Sequence, residues 1–148
     1  MDLDLQTYSV GGDSTIHRIS KFINDLKTTG MTHNRIIIME VFGRYAGHTA
    51  FRGGVGADVD CILIPEVPVN FKIVYEHFKK HFTRRLNDNL LNAATYNIVV
   101  AEGIKGLNNK HFTDTQGGVD SFGHQRLSGA GAFVRSAISE YAHIDADY

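Results

Sequence analysis

Three apolar stretches of this 148-residue chain run into turns that carry charge. Arg35-Ile-Ile-Ile-Met-Glu-Val leads into Phe42-Gly43-Arg44, Cys61-Ile-Leu-Ile into Pro65-Glu66, and Tyr96-Asn-Ile-Val-Val-Ala into Glu102-Gly103. A guanidinium grips a phosphate with two parallel hydrogen bonds and a carboxylate accepts from sugar hydroxyls, so Arg44 with Glu102 suits a phosphorylated polyol. Polar residues at strand ends are also what solvent alone selects. Asp2 and Asp4 form an Asp-x-Asp pair. In an extended segment its carboxylates share one side and can hold a magnesium ion or divide into base and metal ligand; a solvated tail has the same pattern. The run from Ser9 to Ser14 leads into a helix N-terminus, whose amides favour an anion or a simple cap. His124 stands in Phe122-Gly123-His124-Gln125-Arg126, ahead of a further helix, where His and Arg can bind phosphate or serve the fold. His77 and His81, at i and i+4, lack a third ligand in helical register and are expected on the surface, with Lys79, Lys80, Arg84 and Arg85 as the solvated face of their helix.

Periodicity supplies the elements that must position these groups. Ile16, Ile19, Phe22, Ile23 and Leu26 fall three or four apart and predict a helix over 14–27, capped by Asp13 or Ser14 and stopped by Gly30. The run Ile36-Ile37-Ile38-Met39 is apolar on both faces of any strand, the pattern of a central parallel strand. A short Ala- and Gly-rich helix is expected over 45–55, and a second buried strand over 61–64. Phe71, Val74, Tyr75, Phe78, Phe82 and Leu86 mark one face of a helix over 70–86 capped by Asn70. A third strand over 96–101 and a last helix over 132–141 complete the order. This alternation predicts an α/β fold of three layers, a mainly parallel sheet with helices on both faces. The stretch 104–121, with Gly106, Asn108, Asn109, Gly117 and Gly118, is long for a loop without function and reads as an insertion or a flap.

Composition narrows the function classes. Fifteen Lys and Arg against sixteen Asp and Glu leave a net charge of −1, without the cationic field that generic nucleic-acid binding needs. The single cysteine, Cys61, permits no intrachain disulfide, and the N-terminus has neither a basic n-region nor a long apolar run. A reducing, cytoplasmic setting and no membrane partner are expected. The chain carries neither a dinucleotide fingerprint nor a phosphate-binding lysine loop.

The same residues carry a resemblance. Arg35-Ile-Ile-Ile-Met-Glu-Val-Phe-Gly-Arg44-Tyr-Ala-Gly, then Asp60-Cys-Ile-Leu-Ile-Pro65-Glu66-Val-Pro68, then Val99-Val100-Ala101-Glu102-Gly103 and Phe122-Gly123-His124 resemble, in order, the sugar-phosphate half of the phosphofructokinase family. Met1-Asp2-Leu3-Asp4 resembles the tail of the family's threonine-hydrophobic-Asp-Asn-Asp signature, with Leu3 where Asn is usual. The resemblance implies that residues 1–148 form a fructose 6-phosphate-binding domain, a fragment lacking the donor domain, and that the chain begins inside a catalytic motif.

Members of that family transfer a phosphoryl group from ATP or pyrophosphate to the 1-hydroxyl of fructose 6-phosphate, an early step of glycolysis, using magnesium. By this resemblance Asp2 is the base at that hydroxyl and Asp4 positions Mg2+. Arg44, with Phe42 and Gly43, holds the sugar phosphate, Glu102 accepts from its hydroxyls and His124 completes the pocket. Arg35 resembles the arginine that reaches the 6-phosphate in a neighbouring subunit's site, which implies a homo-oligomer. Phe42 replaces the usual methionine, a change of shape that need not abolish binding. Gly118 and Leu127 stand where ATP-dependent bacterial enzymes place two phosphate-binding arginines, and Arg126 offers a displaced positive charge. His124-Gln125-Arg126-Leu127-Ser128-Gly129 is nearer the pyrophosphate-dependent pattern, so pyrophosphate is the expected donor. The fragment alone is expected to bind sugar phosphate without turnover, since positioning of the donor supplies most of the rate. The alternative is a non-catalytic sugar-phosphate-binding or assembly module of the same fold.

Overall fold

The computed structural model describes residues 11–112 and 129–146. Its elements follow the order α1 (Gly12–Thr32), β1 (Ile36–Val41), α2 (His48–Gly56), β2 (Cys61–Leu63), α3 (Phe71–Asp88), β3 (Tyr96–Ala101) and α4 (Ala130–Ala146). The three strands are parallel, in the order β1-β3-β2, with Ile36 opposite Tyr96 and Cys61 opposite Ile98.

The α/β expectation holds, and each sheet face has its own core. Ile98 and Val100 of β3 pack with Leu63, Val74, Val134 and Ile138 beneath α3 and α4. Val99 and Ala101 point the other way, into a second cluster with Ile19, Ile23 and Ala50 from α1 and α2. Alternation of side chains along a strand requires this split, and it explains why β3 reads as an unbroken apolar run. All six β3 residues are buried. No helix among the described residues is long and apolar enough to cross a membrane.

Several boundaries differ from expectation. β3, not β1, is the central strand among the described residues, because it is paired on both edges while Ile36, Ile37, Ile38 and Met39 remain half-buried. Helix α1 starts at a left-handed Gly11 without a side-chain cap from Asp13 or Ser14. It also runs through Gly30, which is there for close packing: a Cβ would lie 2.5 Å from Thr95 Oγ1 and 2.8 Å from Ile37 Cδ1. Helix α2 begins at His48 rather than residue 45, which leaves Arg44 in a turn, and α4 extends past 141 to Ala146. The Asn70 cap is as expected, its side chain accepting from Lys72 N at 3.1 Å.

Candidate ligand site at the carboxyl ends of the strands

In open parallel sheets, the carboxyl ends of the strands are where backbone turns away from the sheet and leaves a crevice. Here β1 and β3 deliver Phe42-Gly43-Arg44 and Glu102-Gly103 side by side. The ladder continues one step beyond the strands, with Glu102 N donating to Val41 O at 2.9 Å and Gly103 N to Gly43 O at 3.2 Å. Oε1 of Glu102 accepts from Gly43 N at 3.3 Å. Phe42, Gly43, Arg44 and Glu102 therefore form one group, built from sequence positions about sixty apart.

Two glycines make that approach possible. Gly43 has φ +153 and a Cβ there would stand 2.8 Å from Ala46 O, so the turn folds back on itself where a side chain would block it. Gly103 lies under the same turn, and its Cβ would be 1.9 Å from Arg44 O. Any side chain at 103 must push the Arg44 backbone away. Phe42 and Tyr45 flank Arg44 in sequence and are 59% and 71% exposed. Burial does not explain these two aromatic rings, whereas a bound sugar face would cover apolar surface of this kind. Among the described residues, no carboxylate or carbonyl is bonded to the Arg44 guanidinium, so its donors are available to an anion.

Glu102 has one oxygen committed to Gly43 N and a second that can accept from a hydroxyl. Two further glutamates, absent from the expected ligand set, also serve this end of the sheet. Glu66, after β2, accepts from Gly47 N at 2.8 Å. Glu40, on β1, accepts from Gly129 N at 3.1 Å and Gly131 N at 2.9 Å, at the start of α4. The expected phosphate-friendly amides of that helix end thus already face a carboxylate. A third residue missed by sequence reasoning is His111, whose Nδ1 donates to Gly103 O at 3.0 Å. The sequence signals were faint: a charge interrupting an apolar strand for Glu40, a charge after a strand for Glu66, and nothing but loop position for His111.

Arg35 is placed elsewhere. It precedes β1, so the six-residue strand separates it from Arg44 by roughly 20 Å at about 3.3 Å per residue. Asp2, Asp4, Gly118, His124, Arg126 and Leu127 lie outside the described residues. Among the described residues, no three His, Cys, Asp or Glu are grouped to hold a metal ion.

The amino ends of the strands hold a wider space, a cavity of about 990 Å³ bordered by Lys27, Asp60, Arg85 and Asn97. Three of the charges there, Lys27, Asp60 and Arg85, are engaged within the fold. Arg85 bonds Asp60 Oδ1 at 2.5 Å and Thr95 O at 2.7 Å, while Asp60 Oδ2 accepts from Asn97 N at 2.8 Å. This corrects the expectation that Arg85 belongs to the solvated face of α3. Lys27 Nζ is bonded to the carbonyls of Ala57 and Asp58. His77 is exposed, as expected, though its Nδ1 meets Tyr96 OH at 2.5 Å, and its ring lies 4.1 Å from that of His81. Slight burial, with the neighbouring His77 and Arg84, lowers the His81 pKa.

Comparison with known proteins agrees with the geometry. The family model described as "Phosphofructokinase" matches residues 1–147. The chain is 33% identical over 144 residues to a pyrophosphate–fructose 6-phosphate 1-phosphotransferase of Dictyoglomus thermophilum, covering 97% of this chain and 40% of that protein. It is 31% identical over 144 residues to an ATP-dependent 6-phosphofructokinase of Mycobacterium leprae, again covering 97% and 40%. The chain thus spans about two fifths of the length of these curated relatives. Among solved structures, phosphofructokinase from Saccharomyces cerevisiae superposes with a TM-score of 0.62 at 22% identity, over 90% of this chain and 15% of that one. A pyrophosphate-dependent phosphofructokinase from Marinobacter aquaeolei gives 0.59 at 19% identity, over 89% and 28%. At these identities the structural likeness establishes the fold.

Proposed function

The chain belongs to the phosphofructokinase family, and from that premise we propose that residues 1–148 are the fructose 6-phosphate-binding domain of an enzyme phosphorylating that sugar's 1-hydroxyl. The observation that carries this reading is the joint placement of Arg44, without a partner among the described residues, two glycines that cannot bear side chains and the Glu102 carboxylate at adjoining strand ends. Arg44 grips the 6-phosphate as a fork, Phe42 covers the sugar's apolar face, and the free Glu102 oxygen accepts from a hydroxyl.

The base that receives the 1-hydroxyl proton is Asp2, and Asp4 would hold magnesium, which would supply positive charge against the donor phosphates. His124 and Arg126 close the pocket. Pyrophosphate is the donor, supported by the His124-Gln125-Arg126 pattern, and a further domain of the whole enzyme binds it. Arg35, at the opposite end of β1 from this chain's own Arg44, reaches the sugar phosphate of a neighbouring copy, so the enzyme works as a homo-oligomer in the cytoplasm.

The test is calorimetric titration of fructose 6-phosphate and of fructose into the chain, alongside Arg44→Ala. Millimolar or tighter binding of the phosphorylated sugar alone, lost in the variant, is the expected result. Equal uptake of both sugars, or binding that survives Arg44→Ala, contradicts it.

A further inference from the structure

Glu66 has no place in the ligand set above, yet it touches the turn that carries Arg44. That turn runs from Gly43 to Gly47 and is pinned by a carboxylate at each end. Glu102 takes the Gly43 amide at 3.3 Å, and Glu66 takes the Gly47 amide at 2.8 Å. Gly47 is also the residue from which α2 starts, and Phe51 N donates back to Gly47 O at 2.8 Å. Helix α2 has no side-chain cap of its own and no acidic residue in its first turn. A helix start leaves amides unsatisfied and favours negative charge, needs that a local Ser, Thr or Asp ordinarily meets. Here a residue nineteen positions away meets them, from the end of a different strand.

We propose that Glu66 is a positioning residue for Arg44: by capping α2 from β2, it fixes the exit of the 43–47 turn and so the direction in which the guanidinium fork is presented. This rests on the reading that Arg44 grips the sugar phosphate. Without Glu66 the turn keeps its carboxylate contact at the entry and loses the one at the exit, and Arg44 swings more widely on a glycine-bounded segment. A bidentate grip depends on the direction of the fork, whereas a single ammonium charge does not.

The experiment is a titration of fructose 6-phosphate into the wild-type chain, Glu66→Ala and Glu66→Gln, repeated in an Arg44→Lys background. Amide exchange at Gly47 and the Arg44 Nε resonance are followed by NMR in the same proteins. Glu66→Ala is expected to weaken binding about fivefold in the Arg44 protein and less than twofold in the Arg44→Lys protein, because the two residues act as a unit. Glu66→Gln keeps an oxygen acceptor for Gly47 N and should lie within about twofold of wild type. Loss of the Gly47 hydrogen bond should speed its exchange about tenfold in Glu66→Ala, with a shifted Arg44 Nε resonance. Unchanged affinity in Glu66→Ala, or an equal loss in both backgrounds, overturns the proposal. If the wild-type chain takes up no fructose 6-phosphate, the binding reading fails separately and the NMR arm decides this one. A shifted Arg44 resonance with faster Gly47 exchange then supports it, and unchanged spectra sink it.

Discussion

At the amino ends of the strands, Asp60 meets Arg85 and the Asn97 amide, and Arg85 closes further onto Thr95 O. At the carboxyl ends, among the described residues, Glu40, Glu66 and Glu102 accept only from glycine amides and the Arg44 guanidinium has no partner. Both ends carry acids and an arginine, but one end joins cation to anion and the other holds them apart. In the ion pair, the Asp60 side chain is 8% exposed and the Arg85 fork is spent on Asp60 and Thr95 O. Carboxylates that hold backbone instead shape a turn and leave the cation for a ligand.

The largest effect should come from placing a side chain where the two strand ends meet. Gly103→Ala puts a methyl group 1.9 Å from Arg44 O, a clash with backbone that no rotamer relieves. It should cost about 3 kcal/mol of stability, read by urea unfolding, and remove sugar-phosphate binding together with it. Asp60→Ala tests the closed end. The Asp60 side chain is 8% exposed, and its loss leaves the Asn97 amide unpaired and Arg85 with Thr95 O alone. About 2 kcal/mol of stability should be lost, with fructose 6-phosphate affinity unchanged per folded molecule. Arg44→Ala is the reverse case: affinity falls on the order of a hundredfold while the melting temperature stays within a degree or two. A variant that moved both quantities equally would dissolve the contrast between the ends.

Fold class was legible from the sequence because burial on both sheet faces writes itself as unbroken apolar runs, and Phe71, Val74, Phe78 and Phe82 left a clear helical stripe. Strand order was not, since, among the described residues, Ile36-Ile37-Ile38 at an edge and Ile98-Val99-Val100 at the centre look alike in one dimension. The Arg44 and Glu102 grouping was legible as two charged strand ends. Their link through Gly43 N was hidden, as were the roles of Glu40 and Glu66, because a carboxylate that caps a distant helix leaves no local pattern. Gly30 misled for a related reason: a glycine needed for close packing against Thr95 is written like a helix stop.

A last predicted effect concerns Cys61, at the start of β2 next to Asp60. Burial, and then the Asp60 charge, push its thiol up to about 11 from 9.0. At neutral pH the thiolate is about a hundredfold scarcer than in an unperturbed cysteine, so labelling by a thiol reagent should be slower by that factor. The sign of the linked stability follows. Between pH 9 and 11 the unfolded chain ionises while the folded chain does not, so stability should fall as pH rises through that window. Fast labelling at pH 8 would show that the amino end is open after all.

Amide NMR spectra of the chain with and without fructose 6-phosphate bear most directly on the division between the two ends. Shifts are expected to concentrate at residues 42–47, 102 and 103, with residues 58–60, 85 and 95 unmoved. Shifts centred on Asp60, Arg85 and Thr95, with the Arg44 turn silent, would contradict it.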